Sequence, residues 1–249
     1  MIRWVGANWP SNGNVRALTT FRIGGLSAGG CSSLNLSSFT LDDPESVYGN
    51  REILRSELSL PNEPCWLNQQ HTNKLLNLDE VEDLSLTEQI VADAAYTRKP
   101  RVVCAVLTAD CIPILFKADS EHLVGVIHAG WRGILNGIIE EVVQKLPVDA
   151  SELDVWFGPS ISPRYFVVKN DVMHQFISKS PMYKSEFVTS FGKCHGNLVG
   201  IARQCLTSVG VKSVYVNRYC TYAFGDYFFS YRRDGERSGR MASLIWMLD

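Results

Sequence analysis

The chain has 249 residues, with 24 Lys and Arg against 26 Asp and Glu, a formal charge of −2, and 45% hydrophobic residues. That balance gives no ground for nucleic acid or an anionic membrane as the main partner, and no apolar run approaches the length of a membrane span. The length suits one large domain with a sizeable core.

The opening "MIRWVGANWP" lacks a charged region followed by an apolar one, so no signal peptide is expected and a cytoplasmic location is. "SNGN" and "GGLSAGGCSS" read as local loops, and "VRALTTFR" (15–22) between them as a strand ending at Arg22. Asp43 is a good N-cap and Pro44 a good first helical residue, which predicts a helix over about 44–58. "CWLNQQH" (65–71) reads as a strand ending on polar residues. "RVVCAVLTADCIPILFK" (101–117) reads as two buried strands interrupted by "TADC", and "HLVGVIHA" (122–129) as a third. In "GILNGIIEEVVQKL" the apolar residues fall on one stripe at helical spacing, which predicts a single amphipathic helix. "LDVWFG" and "VKSVYVNR" read as strands, and "NDVMHQFIS" and "NLVGIARQCLTSVG" as helices, the latter ended by Gly210. "YFFSYRRD" and "GRMASLIWML" read as a closing pair of strands. Strands and helices mix without strict alternation, so the expected fold class is α+β, one domain over residues 1–249 with a mixed β-sheet core flanked by helices.

The seven cysteines are odd in number, irregularly spaced and free of any CxxC pair, which argues against a disulfide framework. Three of the expected strands end near a possible metal ligand: His71, Cys111 and His128. Imidazole, thiolate and imidazole form a borderline-soft set suited to zinc, with a fourth position left for water. Their separations match no local zinc motif, and other readings fit the same residues. The two histidines could be satisfied polar groups with Cys111 in the core. Cys111 could be a nucleophile activated by a histidine, or the site could hold copper. Arginines form the other constellation: Arg22, Arg51, Arg132, and Arg232 with Arg233, any of which can grip a phosphate or carboxylate bidentately. Arg132 sits in the glycine-bracketed "GWRG", read as a turn feeding a helix N-terminus, and Asn35 in "SLNLS" is a candidate polar contact. Trp66 and Trp131 are candidate walls for a flat base.

The stretches "TFRIGGLS", "SLNLS", "WLNQQH", "ADA" at 92–94, "TADCIP", "HAGWRG", "GPSISP" and "FFSYRRDG…GRMASLIW", in this order, resemble the laccase-domain family. Its members are also called polyphenol oxidase, purine nucleoside phosphorylase and peptidoglycan editing factor. The resemblance runs from about Arg22 to Trp246. It implies a zinc site on His71, Cys111 and His128, with Asp110 beside them among the catalytic residues. It also implies phosphorolysis of purine nucleosides (adenosine, inosine, guanosine, methylthioadenosine) to base and ribose 1-phosphate, with adenosine deamination as a further activity. The small-molecule partners are then a purine nucleoside and phosphate. Phosphorolysis needs an anion site, for which Arg22, Asn35 and Arg51 are the candidate group, with Arg132 and Arg232 as further substrate- or phosphate-binding candidates. The alternatives are a Cys-dependent hydrolase or editing factor acting on peptidoglycan precursors, and a copper-dependent polyphenol oxidase. Copper is the weaker expectation, because several copper centres need more ligands than five histidines provide. Three positions depart from the family pattern: Thr72 follows the first ligand in place of glycine, and Val167 and Asn197 stand where acids are common. The sequence does not give an oligomeric state.

Overall fold

Strands that are apolar on both faces need cover on both faces. This chain supplies it with two sheets laid face to face and helices outside them. The computed structural model describes residues 1–10 and 13–248, so part of the "SNGN" loop lies outside the described residues. One sheet has four antiparallel strands: β1 (Trp4–Gly6), β2 (Val15–Thr20), β13 (Met241–Met247) and β5 (Cys104–Thr108), in that order. The larger sheet runs β12 (Ser213–Val216), β8 (Asp154–Phe157), β6 (Ile112–Ala118), β7 (Leu123–Ala129), β4 (Ala94–Thr97), β3 (Leu75–Asn77). Its outer pairs are parallel and its inner pairs antiparallel, so it is mixed. A small antiparallel sheet of β10 (Phe187–Ser190), β11 (Lys193–Gly196) and β9 (Val167–Val168) stands apart.

The period-2 rule assigns the faces. In β7, Val124 and Val126 enter the layer between the two large sheets, with Leu115, Trp156, Val106 and Ile245. Leu123, Ile127 and Ala129 face the other way, onto α3 (Ile138–Lys145) and α5 (Leu198–Ser208). On the far side of the four-stranded sheet, Val103, Ala105, Leu107 and Leu244 pack with Leu54 of α1 (Pro44–Glu57). The layers are therefore helix, sheet, sheet, helix, an α+β arrangement as expected. Among the described residues no helix is long and apolar enough to cross a membrane.

The N-cap of α1 forms as read, with the Asp43 side chain accepting from the Ser46 N–H at 3.1 Å and Pro44 opening the helix. Three expectations are corrected. Residues 65–71 make no strand: they contribute isolated bridges at Cys65 and Asn68 only. The amphipathic helix after β7 is broken into α2 (Trp131–Leu135) and α3, because Gly137 takes a left-handed φ of +85° that few other residues tolerate. The closing hairpin is replaced by a short helix, α6 (Tyr231–Asp234), followed by β13. Ser230 caps α6 by accepting from the Arg233 N–H, and its hydroxyl donates to Asp110. A helix α4 (Asn170–Lys179) lies in the chain between β9 and β10 of the small sheet.

Candidate metal centre

The turn Ala109–Cys111 carries the chain from the four-stranded sheet to the six-stranded one, since β5 belongs to the first and β6 to the second. Asp110 takes a φ of +98° in this turn, a conformation costly for a residue with a side chain. Its carboxylate holds the turn in place. It accepts from the Thr221 hydroxyl at 2.7 Å, the Ser230 hydroxyl at 3.0 Å and the Arg232 N–H at 2.6 Å. Asp110, expected among the catalytic residues, lines a cavity next to Cys111, with both carboxylate oxygens engaged in holding the turn.

Cys111 meets two histidines there. His128 is the sixth residue of β7, one short of its end, and continues the Val124 and Val126 face. His71 lies in a loop with φ +58° rather than at a strand end. One ligand atom from each of the three residues lies within 4.8 Å of the others, and Cys111 Sγ is 3.7 Å from His71 Nε2. A tetrahedral zinc with ordinary Zn–S and Zn–N bonds would set that separation at about 3.6 Å. A Cβ added at Gly130 would stand 2.5 Å from His71 Cδ2 and 2.9 Å from Cys111 Sγ. The space between the donors therefore exists because residue 130 has no side chain, which accounts for the first glycine of "HAGWRG". The donor set and this gap fit a single ion.

Asp93 organises the triad and was not singled out by the sequence reading, although "ADA" lay in a motif. Its side chain is fully buried. Oδ1 accepts from His128 Nδ1 at 2.8 Å and the His71 N–H at 3.0 Å, and Oδ2 from the Thr72 N–H and hydroxyl at 2.6 and 2.8 Å. The bond to Nδ1 leaves His128 Nε2 as its donor toward an ion. The Thr72 hydroxyl is one of the donors that Asp93 gathers. An aspartate inside the apolar "VADAAYT" was the available signal: a buried carboxylate needs several donors.

Electrostatics follow from this geometry. Burial pushes the Cys111 thiol up, but the charge and hydrogen bonds of His128 and His71 outweigh it and bring the thiol down to about 6. Burial opposes the His128 charge, and Cys111 with Asp93 raises it to about 9. In the metal-free protein these influences favour a thiolate beside an imidazolium. The thiolate's share of stability is present at high pH and is lost as pH falls through about 6, below the ordinary thiol value of 9.0. The imidazolium's share is present below 6.5 and is lost as pH rises through about 9. The metal-free protein should therefore show thiolate absorbance near 240 nm with a midpoint near 6. A midpoint at the ordinary thiol value would mean the pair does not form.

The triad opens into a cavity of about 540 Å³, in the range of small-molecule sites. Phe39, Trp131, Phe166 and Tyr231 line it, with Arg132, Arg232 and Arg240. Arg240 was not anticipated. Trp66 is not a wall: it is buried against Arg51, its Nε1 donating to Glu63. Arg132 belongs to the first turn of α2, not to a turn before it, and its guanidinium carbon lies 4.3 Å from the Trp131 ring centroid. Arg232 Nη1 donates to the Tyr165 and Val167 carbonyls.

The expected anion group of Arg22, Asn35 and Arg51 does not assemble, and none of the three lines the cavity. Arg22 donates to loop carbonyls at Ser32, Gly30 and Gly225. Arg51 forms a two-pronged ion pair with Glu88. Asn35 is fully buried behind the wall, where it accepts from the Arg240 N–H. Asn197 caps α5, accepting from the Gly200 N–H while Nδ2 donates to Glu186. An acid in its place would repel Glu186. Val167 contributes its carbonyl to Arg232, not its side chain.

The profile of the multi-copper polyphenol oxidoreductase laccase family matches residues 16–248. The chain is 38% identical over 248 residues to a protein of Escherichia coli named purine nucleoside phosphorylase YfiH, covering all of both chains. It is 38% identical over 245 residues to a purine nucleoside phosphorylase of Haemophilus influenzae, covering 97% of this chain and 98% of that one. Among solved structures, Neisseria meningitidis protein NMB0706 superposes with a TM-score of 0.89 at 38% identity, covering 98% of each chain. YlmD from Geobacillus stearothermophilus does so at 0.88 and 28% identity, covering 99% of this chain and 96% of its own. With its profile, its relatives and its fold in agreement over nearly the whole length, the chain belongs to the multi-copper polyphenol oxidoreductase laccase family.

Proposed function

We propose that this chain is a zinc-dependent purine nucleoside phosphorylase that also deaminates adenosine, working as one laccase-like domain over residues 1–249. The observation that carries the reading is the His71, Cys111 and His128 triad at the wall of a cavity of nucleoside size, lined with aromatic rings and guanidinium groups. The names of the relatives support it.

His71, Cys111 and His128 would hold the ion, with Asp93 fixing the histidine donors. When bound, zinc supplies Lewis acidity toward an oxygen atom. Trp131, Phe166 and Tyr231 offer faces to a purine. In phosphorolysis a phosphate oxygen forms a bond to the ribose C1′ as the bond from C1′ to the base nitrogen breaks, and the base leaves with a proton. In deamination an oxygen from water replaces the C6 amino group and ammonia leaves. Among the described residues one His/Cys/Asp/Glu cluster could hold a metal, which supports one ion over a multi-copper set. Seven free cysteines support a reducing, cytoplasmic setting.

The test is adenosine turnover by purified protein with and without phosphate, with zinc and copper quantified on the same sample. The expected result is adenine only when phosphate is present, slower inosine in either case, and about one zinc per chain. Cys111→Ala should lower both activities by more than about 100-fold, the loss that even an outer-shell change can reach. Undiminished phosphate-dependent adenine release by that variant would end the proposal.

A second reading rests on the acidified Cys111 thiol. A thiolate beside an imidazolium is also the nucleophile of a cysteine hydrolase, which here would act on a peptidoglycan precursor. That reading requires turnover without metal and inactivation by thiol alkylation.

A further inference from the structure

Arg240 is a cation of the cavity wall whose backbone and side chain are both held, yet no protein anion pairs with it. Its backbone N–H donates to Asn35 Oδ1 at 2.9 Å. Asn35 is itself fully buried, with Nδ2 donating to the Ser37 carbonyl, the Thr40 hydroxyl and the Asp42 carboxylate. On the side chain, Nη1 donates to the carbonyls of Ser238 and Gly239. The guanidinium carbon lies 5.6 Å from the Tyr231 ring centroid.

Those contacts use Nη1 only. Among the described residues no carboxylate is within ion-pair distance of Arg240, whereas Arg51, Arg55, Arg98 and Arg233 each have one. The Nε and Nη2 groups donate to no protein acceptor there. A half-buried guanidinium in this state has no direct ion-pair partner. Burial opposes its positive charge, and Cys111 is the foremost negative group acting on it, so it lies within electrostatic reach of the triad. The Nε and Nη2 edge is the planar fork that takes two oxygens of a phosphate side-on. The other arginines of the cavity are less suited. Arg232 is tied to two carbonyls, and Arg132 is exposed and stacked on Trp131.

We infer that Arg240, held in register by Asn35, is the anchor of the phosphate co-substrate, its Nε and Nη2 edge gripping two phosphate oxygens beside the metal triad. The inference rests on the phosphorylase reading for the identity of the anion. It replaces the expected group of Arg22, Asn35 and Arg51: of these, only Asn35 serves the anion, and it does so from behind the wall.

The test compares the wild type with Arg240→Met and Arg240→Lys, each loaded with zinc, by equilibrium dialysis of labelled inorganic phosphate and by separate KM values for phosphate and adenosine. Arg240→Met should weaken phosphate binding and raise its KM by at least about tenfold, while the adenosine KM stays within about twofold. Arg240→Lys should fall between, since an ammonium keeps the charge and loses the fork. Zinc content and melting temperature report whether each variant folds. A measurement on the wild type needs no variant: phosphate should slow phenylglyoxal labelling of Arg240, read by mass spectrometry.

Unchanged phosphate affinity in Arg240→Met, with phosphorolysis intact, overturns the inference and leaves the phosphorylase reading standing. Arg240-dependent phosphate binding without nucleoside cleavage does the reverse: the anion site stands and the reading falls. If adenosine 5′-monophosphate responds to the substitutions and inorganic phosphate does not, the fork serves an esterified phosphate and the inference fails.

Discussion

Replacing Gly130 with alanine should empty the metal centre and leave the fold standing. Gly130 has φ −76° and ψ 160°, a backbone conformation open to any residue, so alanine introduces no backbone strain. The difficulty is space. The new Cβ would lie 2.5 Å from His71 Cδ2, 2.6 Å from His71 Nε2 and 2.9 Å from Cys111 Sγ. The His71 ring is only half-buried, so it is the group expected to swing aside, and in doing so it leaves the donor set. Zinc affinity should fall by at least about 100-fold, the upper range for outer-shell changes, and phosphorolysis with it. The melting temperature of the metal-free protein should stay close to that of metal-free wild type. Zinc titration with a chromophoric chelator, beside thermal melts of both metal-free proteins, checks this. Full zinc affinity in Gly130→Ala would mean that the three side chains do not share one ion.

Asp93→Ala should instead damage fold and site together. The carboxylate is fully buried and collects the backbone N–H groups of Gln70, His71 and Thr72, the Thr72 hydroxyl and His128 Nδ1. Removing it leaves the buried His128 Nδ1 and the part-buried donors of residues 70–72 without their acceptor, at a cost of about 3 kcal/mol. Water entering the vacated space would lower that figure. Asp93→Asn keeps the volume and one acceptor oxygen, so it should fold better yet bind zinc about 10–100-fold more weakly, because His128 loses the partner that fixes its donor nitrogen. Urea unfolding of the metal-free proteins separates the two effects. Asp93→Asn with wild-type zinc affinity would reduce Asp93 to a structural residue.

The fold was legible where one physical signal dominated. β6 and β7 are buried on both faces, so their continuous apolar runs stood out, and the α1 boundary followed from Asp43 and Pro44. Expectations failed where a distant group decided the local conformation. "YFFSYRRD" has the composition of a strand, but Asp110, 120 residues earlier, accepts from Ser230 and from the Arg232 N–H, and the segment turns into α6. The strand reading of 65–71 failed for a related reason. Asp93 draws the N–H groups of residues 70–72 away from any ladder. In "ILNGII" the helical stripe was real, but Gly137 breaks the axis between its two halves.

By itself the sequence determined the α+β class, the buried strands and the side chains able to bind a soft metal, because burial period and donor chemistry are properties of residue types. Tertiary structure alone decided which donors meet. His71, Cys111 and His128 are separated by 40 and 17 residues, and the crossover between the two sheets, which places Cys111, together with Asp93, which holds both histidines, brings them within 4.8 Å. The same holds for the arginines. All share one chemistry, so sequence cannot rank them. Their partners can: Glu88 neutralises Arg51 and loop carbonyls hold Arg22, while Arg240 keeps an unpaired edge at the cavity wall.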